Sequence, residues 1–141
     1  MEKVTIIYPA VAMFLLTISL VFALGISRFF AIQRREVSIK FFQKYTEGVQ
    51  PDRLHVWGRH VQNHFEIPPL FYIAVIFLFV TDSVDTLSAI AAWLFVGFRC
   101  IHSVIHLGNN NVSQRFLCFG LSLIALTVMW GSLFVQVLKN A

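Results

Sequence analysis

RHVQNHFEIPPLFYIAVIFLFV, residues 59–80, sets an arginine, two histidines, a glutamine, an asparagine and a glutamate directly against the apolar run Ile67–Val80. The charge-free part, Ile67–Thr81, is 15 residues long, short of the ~20 helical residues that cross a ~30 Å hydrocarbon core. The stretch is therefore either the buried helix of a hairpin or a membrane span completed by its own polar head. Its neighbours decide.

The chain of 141 residues is 57% hydrophobic and 13% charged, about half the charged content usual for a soluble domain. Val4–Ser27 carries no Asp, Glu, Lys or Arg over 24 residues, and Phe116–Leu138 none over 23; each is long enough to span. Thr86–Phe98 is charge-free for 13 residues and, like Ile67–Thr81, needs the polar segment beside it. Leu54–Glu66 and Arg99–Leu107 supply the missing length, and Asp82–Asp85 leaves room only for a tight turn. The expected architecture is an all-α integral membrane protein: one domain over residues 1–141, a bundle of four transmembrane helices near 4–27, 54–80, 86–108 and 114–138.

Basic residues gather on one side. Arg28, Arg34, Arg35, Lys40, Lys44, Arg53 and Arg59 lie between the first two spans, and Arg115 flanks the third connection, whereas the middle turn holds Asp82 and Asp85. The positive-inside rule places the basic loops in the cytoplasm and both termini outside, in the cytoplasmic membrane if the source is bacterial. The net charge of +4 then follows from topology and anionic lipid and calls for no nucleic acid. The first run is too long for a signal-peptide core, and its basic residues follow it, so it reads as a retained helix. Cys100 and Cys118 fall at membrane depth with no metal or disulfide spacing.

On a helix Arg59, Asn63 and Glu66 form an i, i+4, i+7 set with His55 and Gln62 beside them, while His60 and His64 point about 100° and 140° away. The latter two are expected to be interfacial. The third helix repeats the arrangement: Arg99, His102, Ser103, His106 and Asn110 share one face. Two such stripes at one depth can line a cavity. They could equally form a structural network in which Glu66 neutralises Arg99 or Arg59. The cations outnumber that single carboxylate, which favours an anionic ligand, since Arg pairs bidentately with carboxylates and phosphates. Pro68-Pro69 should bend the second helix where its polar and apolar parts meet. His60/His64 and His102/His106 are i, i+4 pairs able to chelate, but the first pair faces away from Glu66 and cations crowd the second, so no metal is expected.

Four helices carrying Arg59-x3-Asn63-x2-Glu66-x-Pro68, then Arg99-x2-His102-Ser103-x2-His106, then Arg115, resemble the MAPEG family, the membrane-associated proteins in eicosanoid and glutathione metabolism, in a divergent bacterial-type form. The resemblance implies a homotrimer with glutathione bound as cosubstrate between protomers near the cytoplasmic face. It places Asn63, Glu66, Arg99 and His102 in the glutathione pocket with Arg59, and Arg28 or Arg34 as a basic residue from the end of the first helix. Arg115 corresponds to the arginine that stabilises the thiolate, and His106 stands where eicosanoid enzymes carry a tyrosine, as a hydrogen-bond donor or acid. Gln62 stands where some members carry a further arginine, and Phe116 offers no hydroxyl, so prostaglandin and leukotriene activities do not transfer. The implied function is a glutathione transferase or peroxidase acting on hydrophobic electrophiles or lipid peroxides that enter from the bilayer. The alternative is a nonenzymatic MAPEG-like protein that binds a lipid or a partner. A channel would need polar lining through the full membrane depth, and the stripes stop near Pro68 and Arg99.

Overall fold

The computed structural model describes residues 2–45 and 48–140. These residues are helical with no strand among them: a 3-10 turn Lys3–Ile6, then α1 Ile7–Gln33, the short α2 Phe41–Lys44, α3 Asp52–Glu66, α4 Pro68–Val80, α5 Thr86–Leu107 and α6 Val112–Asn140. With α3 and α4 taken as one continuous rod, four helices are long and apolar enough to cross a membrane. The chain is a multi-pass integral membrane protein with an all-α, four-helix architecture. Its outer surface carries exposed Phe14, Phe22, Ile76, Val104 and Phe134, as expected when the surrounding solvent is hydrocarbon.

Inside, Phe71 of α4 stacks on Phe95 of α5 with centroids 4.6 Å apart, within a core that includes Ile6, Met13, Leu78, Ala92 and Met129. Ala74, Ala91, Ala92 and Ala125 are buried there. Small side chains let helix backbones approach where apolar burial gives no drive between helices in lipid. The first helix runs to Gln33, past the charge-free stretch that ends at Ser27. Arg28 interrupts the apolar run without interrupting the hydrogen-bond ladder.

The second rod breaks where the prolines stand. α3 stops at Glu66 and α4 starts at Pro68, with Ile67 between them. Neither Pro68 nor Pro69 has an N–H for the carbonyls of His64 and Phe65, so the ladder lapses for a turn.

The two ends of the bundle are built differently. At one end Lys3 pairs with Asp82 at 3.7 Å, and Asp85 caps α5 in a capping box with Ser88. The Asp85 carboxylate also accepts from Ser132 at 2.9 Å and from Gln136 at 3.0 Å, fastening α6 to the start of α5. The other end carries Arg28, Arg59 and Arg115 and holds the site.

Asp85 gives the fold its first test. Partial burial pushes its carboxyl up, but hydrogen bonds from Ser88, Gln136 and Ser132 outweigh that and hold it below the usual carboxylate range. A carboxyl depressed on folding stabilises the native state above its unfolded value of about 3.9 and loses that contribution as pH falls through the lower folded value. Asp85→Ala should lower stability by about 1–2 kcal/mol at neutral pH, the worth of a helix cap, with Asp85→Asn losing less. Thermal unfolding in detergent should also fall less steeply for Asp85→Ala than for the parent as pH drops from about 5 to about 3; equal slopes would refute this role.

Candidate functional site

Three local features build the site. At the break between α3 and α4, the backbone carbonyl of Asn63 accepts a hydrogen bond from Arg99 Nη2 at 2.9 Å. Between α5 and α6 the turn is tight: a Cβ on Gly108 would lie 2.8 Å from the Val104 carbonyl oxygen, which requires glycine. Asn110 adopts the left-handed conformation, which asparagine tolerates better than most residues. Asn111 Oδ1 then accepts from Gln114 N at 3.1 Å, capping α6. The same turn aims the site's main cation, because Arg115 Nη1 donates to Asn110 Oδ1 at 2.7 Å.

The result is a polar cavity of about 230 Å³ lined by Arg59 and Asn63 from α3, His102 and His106 from α5, and Val112, Arg115, Phe116 and Phe119 from α6. A second cavity, about 300 Å³, is lined by Arg28, Tyr45, Gln50, Leu54, His55, Gly58, Arg59 and Gln62. Arg59 borders both. Along the outer face of α6 runs an apolar groove of about 610 Å³ that shares Val112 and Phe116 with the polar cavity.

Of the residues singled out from sequence, Arg59, Asn63, His102, His106 and Arg115 therefore converge. Arg28 lines the second cavity, its guanidinium over the Phe42 ring at 5.3 Å. Arg34 lines neither; it is exposed and 4.0 Å from Glu36. Glu66 is exposed and, among the described residues, forms no ion pair within 4.0 Å. Arg99 is fully buried behind the cavity, over the Phe119 ring at 5.7 Å.

His60 and His64 overturn their expected place. Both are buried, at 0% and 2% exposure. The expectation sorted the face of α3 by charge, but it is the charged residues that stand at the rim. Neutral imidazoles, flat and able to hydrogen-bond on either side, bear burial at lower cost than guanidinium or carboxylate groups. The His60 ring lies 4.9 Å from that of His106, 5.6 Å from that of His102 and 5.0 Å from that of His64. His102 and His106 stack at 5.5 Å.

Hydrogen bonds fix several proton positions in this stack. His102 Nδ1 stands 2.8 Å from the Arg115 carbonyl oxygen, which can only accept, so Nδ1 carries the proton and Nε2 the lone pair. Ser103 Oγ donates to the Arg99 carbonyl at 2.8 Å and so accepts from His60 Nε2 at 2.9 Å, leaving a lone pair on His60 Nδ1. Thr17 Oγ1 sits 3.2 Å from His64 Nδ1. Along and behind the cavity, His60 Nδ1, Arg99 Nε and Nη1, His102 Nε2 and His106 Nδ1 are buried without a partner among the described residues. Leaving such groups unpaired costs about 1–3 kcal/mol each, so bridging water or a polar ligand is required there. No group of three or more His, Cys, Asp or Glu among the described residues is placed to hold a metal.

Chemically, the cavity offers guanidinium, amide and imidazole groups and no carboxylate. It suits an anion and could hold a thiol as its thiolate, since a neighbouring cation lowers a thiol's pKa. Ser103 and Asn110 were read from sequence as part of the polar stripe, whereas His60 and His64 were expected to face away from the site and Thr17 was not singled out. The two histidine i, i+4 pairs at matching depth on antiparallel helices were the available signal for His60 and His64.

Ser103 is the hinge of the buried network. Ser103→Ala should leave the His60 Nε2 proton without its acceptor and lower stability by about 1–3 kcal/mol, read as reduced thermal stability of the detergent-solubilised protein. Unchanged stability would mean that His60 finds another partner and that this network is not a structural element.

No curated protein and no solved structure matches the chain. Its sequence does match the profile of the MAPEG family over residues 6–135, nearly the whole length and all four spanning segments. The chain belongs to the MAPEG family.

Proposed function

We propose that the protein binds glutathione at the basic end of the bundle and uses it as a transferase or peroxidase cosubstrate against hydrophobic electrophiles or lipid peroxides. The observation that carries this reading is the convergence of Arg59, Asn63, His102, His106 and Arg115 on one cavity whose lining holds no acidic side chain. Glutathione presents two carboxylates and a thiol. Arg59, shared between the cavities, and Arg28 suit the carboxylates. Arg115, held by Asn110, suits the sulfur: a thiol of pKa about 8.5 ionises more readily beside a fixed cation. The apolar groove that meets the cavity at Val112 and Phe116 suits a hydrophobic substrate arriving through the bilayer.

The basic end faces the cytoplasm in this reading, by the distribution of arginines and lysines, and both termini lie on the other side. Arg59 and Glu66 are exposed on the single chain. Charged groups near membrane depth normally face a protein interior or water, which supports a homotrimer whose neighbour covers them.

Millimolar glutathione should stabilise the purified protein. At ten times Kd the gain is about 1.4 kcal/mol, a thermal shift of a few degrees, and Arg115→Ala or Asn63→Ala should shrink it. Conjugation of glutathione to an aryl halide should fall at least about tenfold, or 1.4 kcal/mol of barrier, in Arg115→Ala. No stabilisation in the parent would refute glutathione binding. Stabilisation without conjugation or peroxidase activity would favour a nonenzymatic binder, a reading supported by Phe116 and Phe119, which place no hydroxyl in the cavity beside Arg115.

A further inference from the structure

Glutathione binding as a thiolate raises a question of proton balance. The S–H bond breaks, the electron pair stays on sulfur beside the Arg115 guanidinium, and the proton must go somewhere. The cavity lining offers no carboxylate to receive it. At the lining and just behind it stand two imidazole lone pairs whose positions are fixed by hydrogen bonding: His102 Nε2, because Nδ1 donates to the Arg115 carbonyl, and His60 Nδ1, because Nε2 donates to Ser103. Both nitrogens are buried and lack a partner among the described residues.

We propose that His60 and His102, the two members of this histidine stack with a fixed free lone pair, form an internal proton acceptor, which takes up inside the bundle the proton that the thiol of bound glutathione loses. The proposal rests on the glutathione reading above and adds the fate of the proton to it.

The geometry supports a relay. His106 and His102 line the cavity, and their rings lie 4.9 Å and 5.6 Å from that of His60, which does not line it. The lone pairs of His60 and His102 and the unpaired N–H groups of Arg99 are complementary acceptors and donors. Water bridging them satisfies both and supplies a path for proton hopping. The groups facing the stack are Arg59 and His64 from α3, Arg99 and His106 from α5, Arg115 from α6 and the neutral Thr17 from α1. Those arginines oppose an added positive charge by itself. The thiolate forms in the same step, so the site's net charge is unchanged.

The outcome is measurable as protons released to solvent per glutathione bound, from the dependence of binding heat on the buffer's ionisation enthalpy. Ultraviolet absorbance of the thiolate gives the degree of ionisation in parallel. Glutamine at both positions, His60→Gln with His102→Gln, keeps a side-chain N–H donor for Ser103 and for the Arg115 carbonyl but cannot accept a proton. In the parent, thiolate should form with about zero protons released; in the double variant, about one proton per thiolate should appear in solvent. His60→Gln alone should release an intermediate number. A purely structural role predicts equal release in parent and variants, because glutamine restores the hydrogen bonds. Binding as thiolate with full proton release from the parent overturns the relay and leaves the glutathione reading standing. Failure of the parent to bind glutathione overturns both.

Discussion

Arg99 sets the constraint that the basic end obeys. It is a fully buried guanidinium at membrane depth, and an isolated charge there costs several kcal/mol unless it is compensated. Among the described residues its guanidinium donates one hydrogen bond, to the Asn63 carbonyl just before the proline break, so the interruption of the second span and the burial of this arginine belong together. Around it lie imidazoles, a serine and an aromatic face, and its carboxylate neighbour on α3, Glu66, stays outside. A bundle arranged this way carries a standing excess of donors and positive charge directed at one cavity.

The same arrangement separates the roles of the two ends. The acidic end is saturated: Asp85 takes hydrogen bonds from Ser88, Ser132 and Gln136 and fastens α5 to α6. The basic end is unsaturated, with five buried nitrogens of α3 and α5 lacking a protein partner. Unsatisfied polar groups concentrate at sites that take a ligand or water. One end fastens the helices, and the other is left with donors and acceptors for water or a ligand.

Much of the fold was legible because charge-free length is a direct reading of bilayer thickness. The four spans and the tight turn at Asp82–Asp85 follow from it, and the break in the second span follows from Pro68-Pro69. Helix ends were not legible this way: α1 continues to Gln33 because a basic residue ends the apolar run but not the backbone ladder. Within the site, the α5 stripe of Arg99, His102, Ser103 and His106 is buried together as its spacing suggested. The face of α3 was misjudged because charge was used to find the inside. The charged residues there sit at the rim, and it is the uncharged His60 and His64 that go in. Arg28 reaches a cavity and Arg34 does not, a difference set by the rotation of α1 near its end that composition alone cannot supply.

A crystal structure grown with glutathione tests most directly where a thiol-bearing anion sits. The sulfur should lie within about 3–4 Å of the Arg115 guanidinium, in the cavity bounded by Asn63, His102 and His106, with a carboxylate on Arg59. Glutathione found only outside this cavity, or a cavity filled by lipid chains in its presence, would contradict glutathione binding at this site.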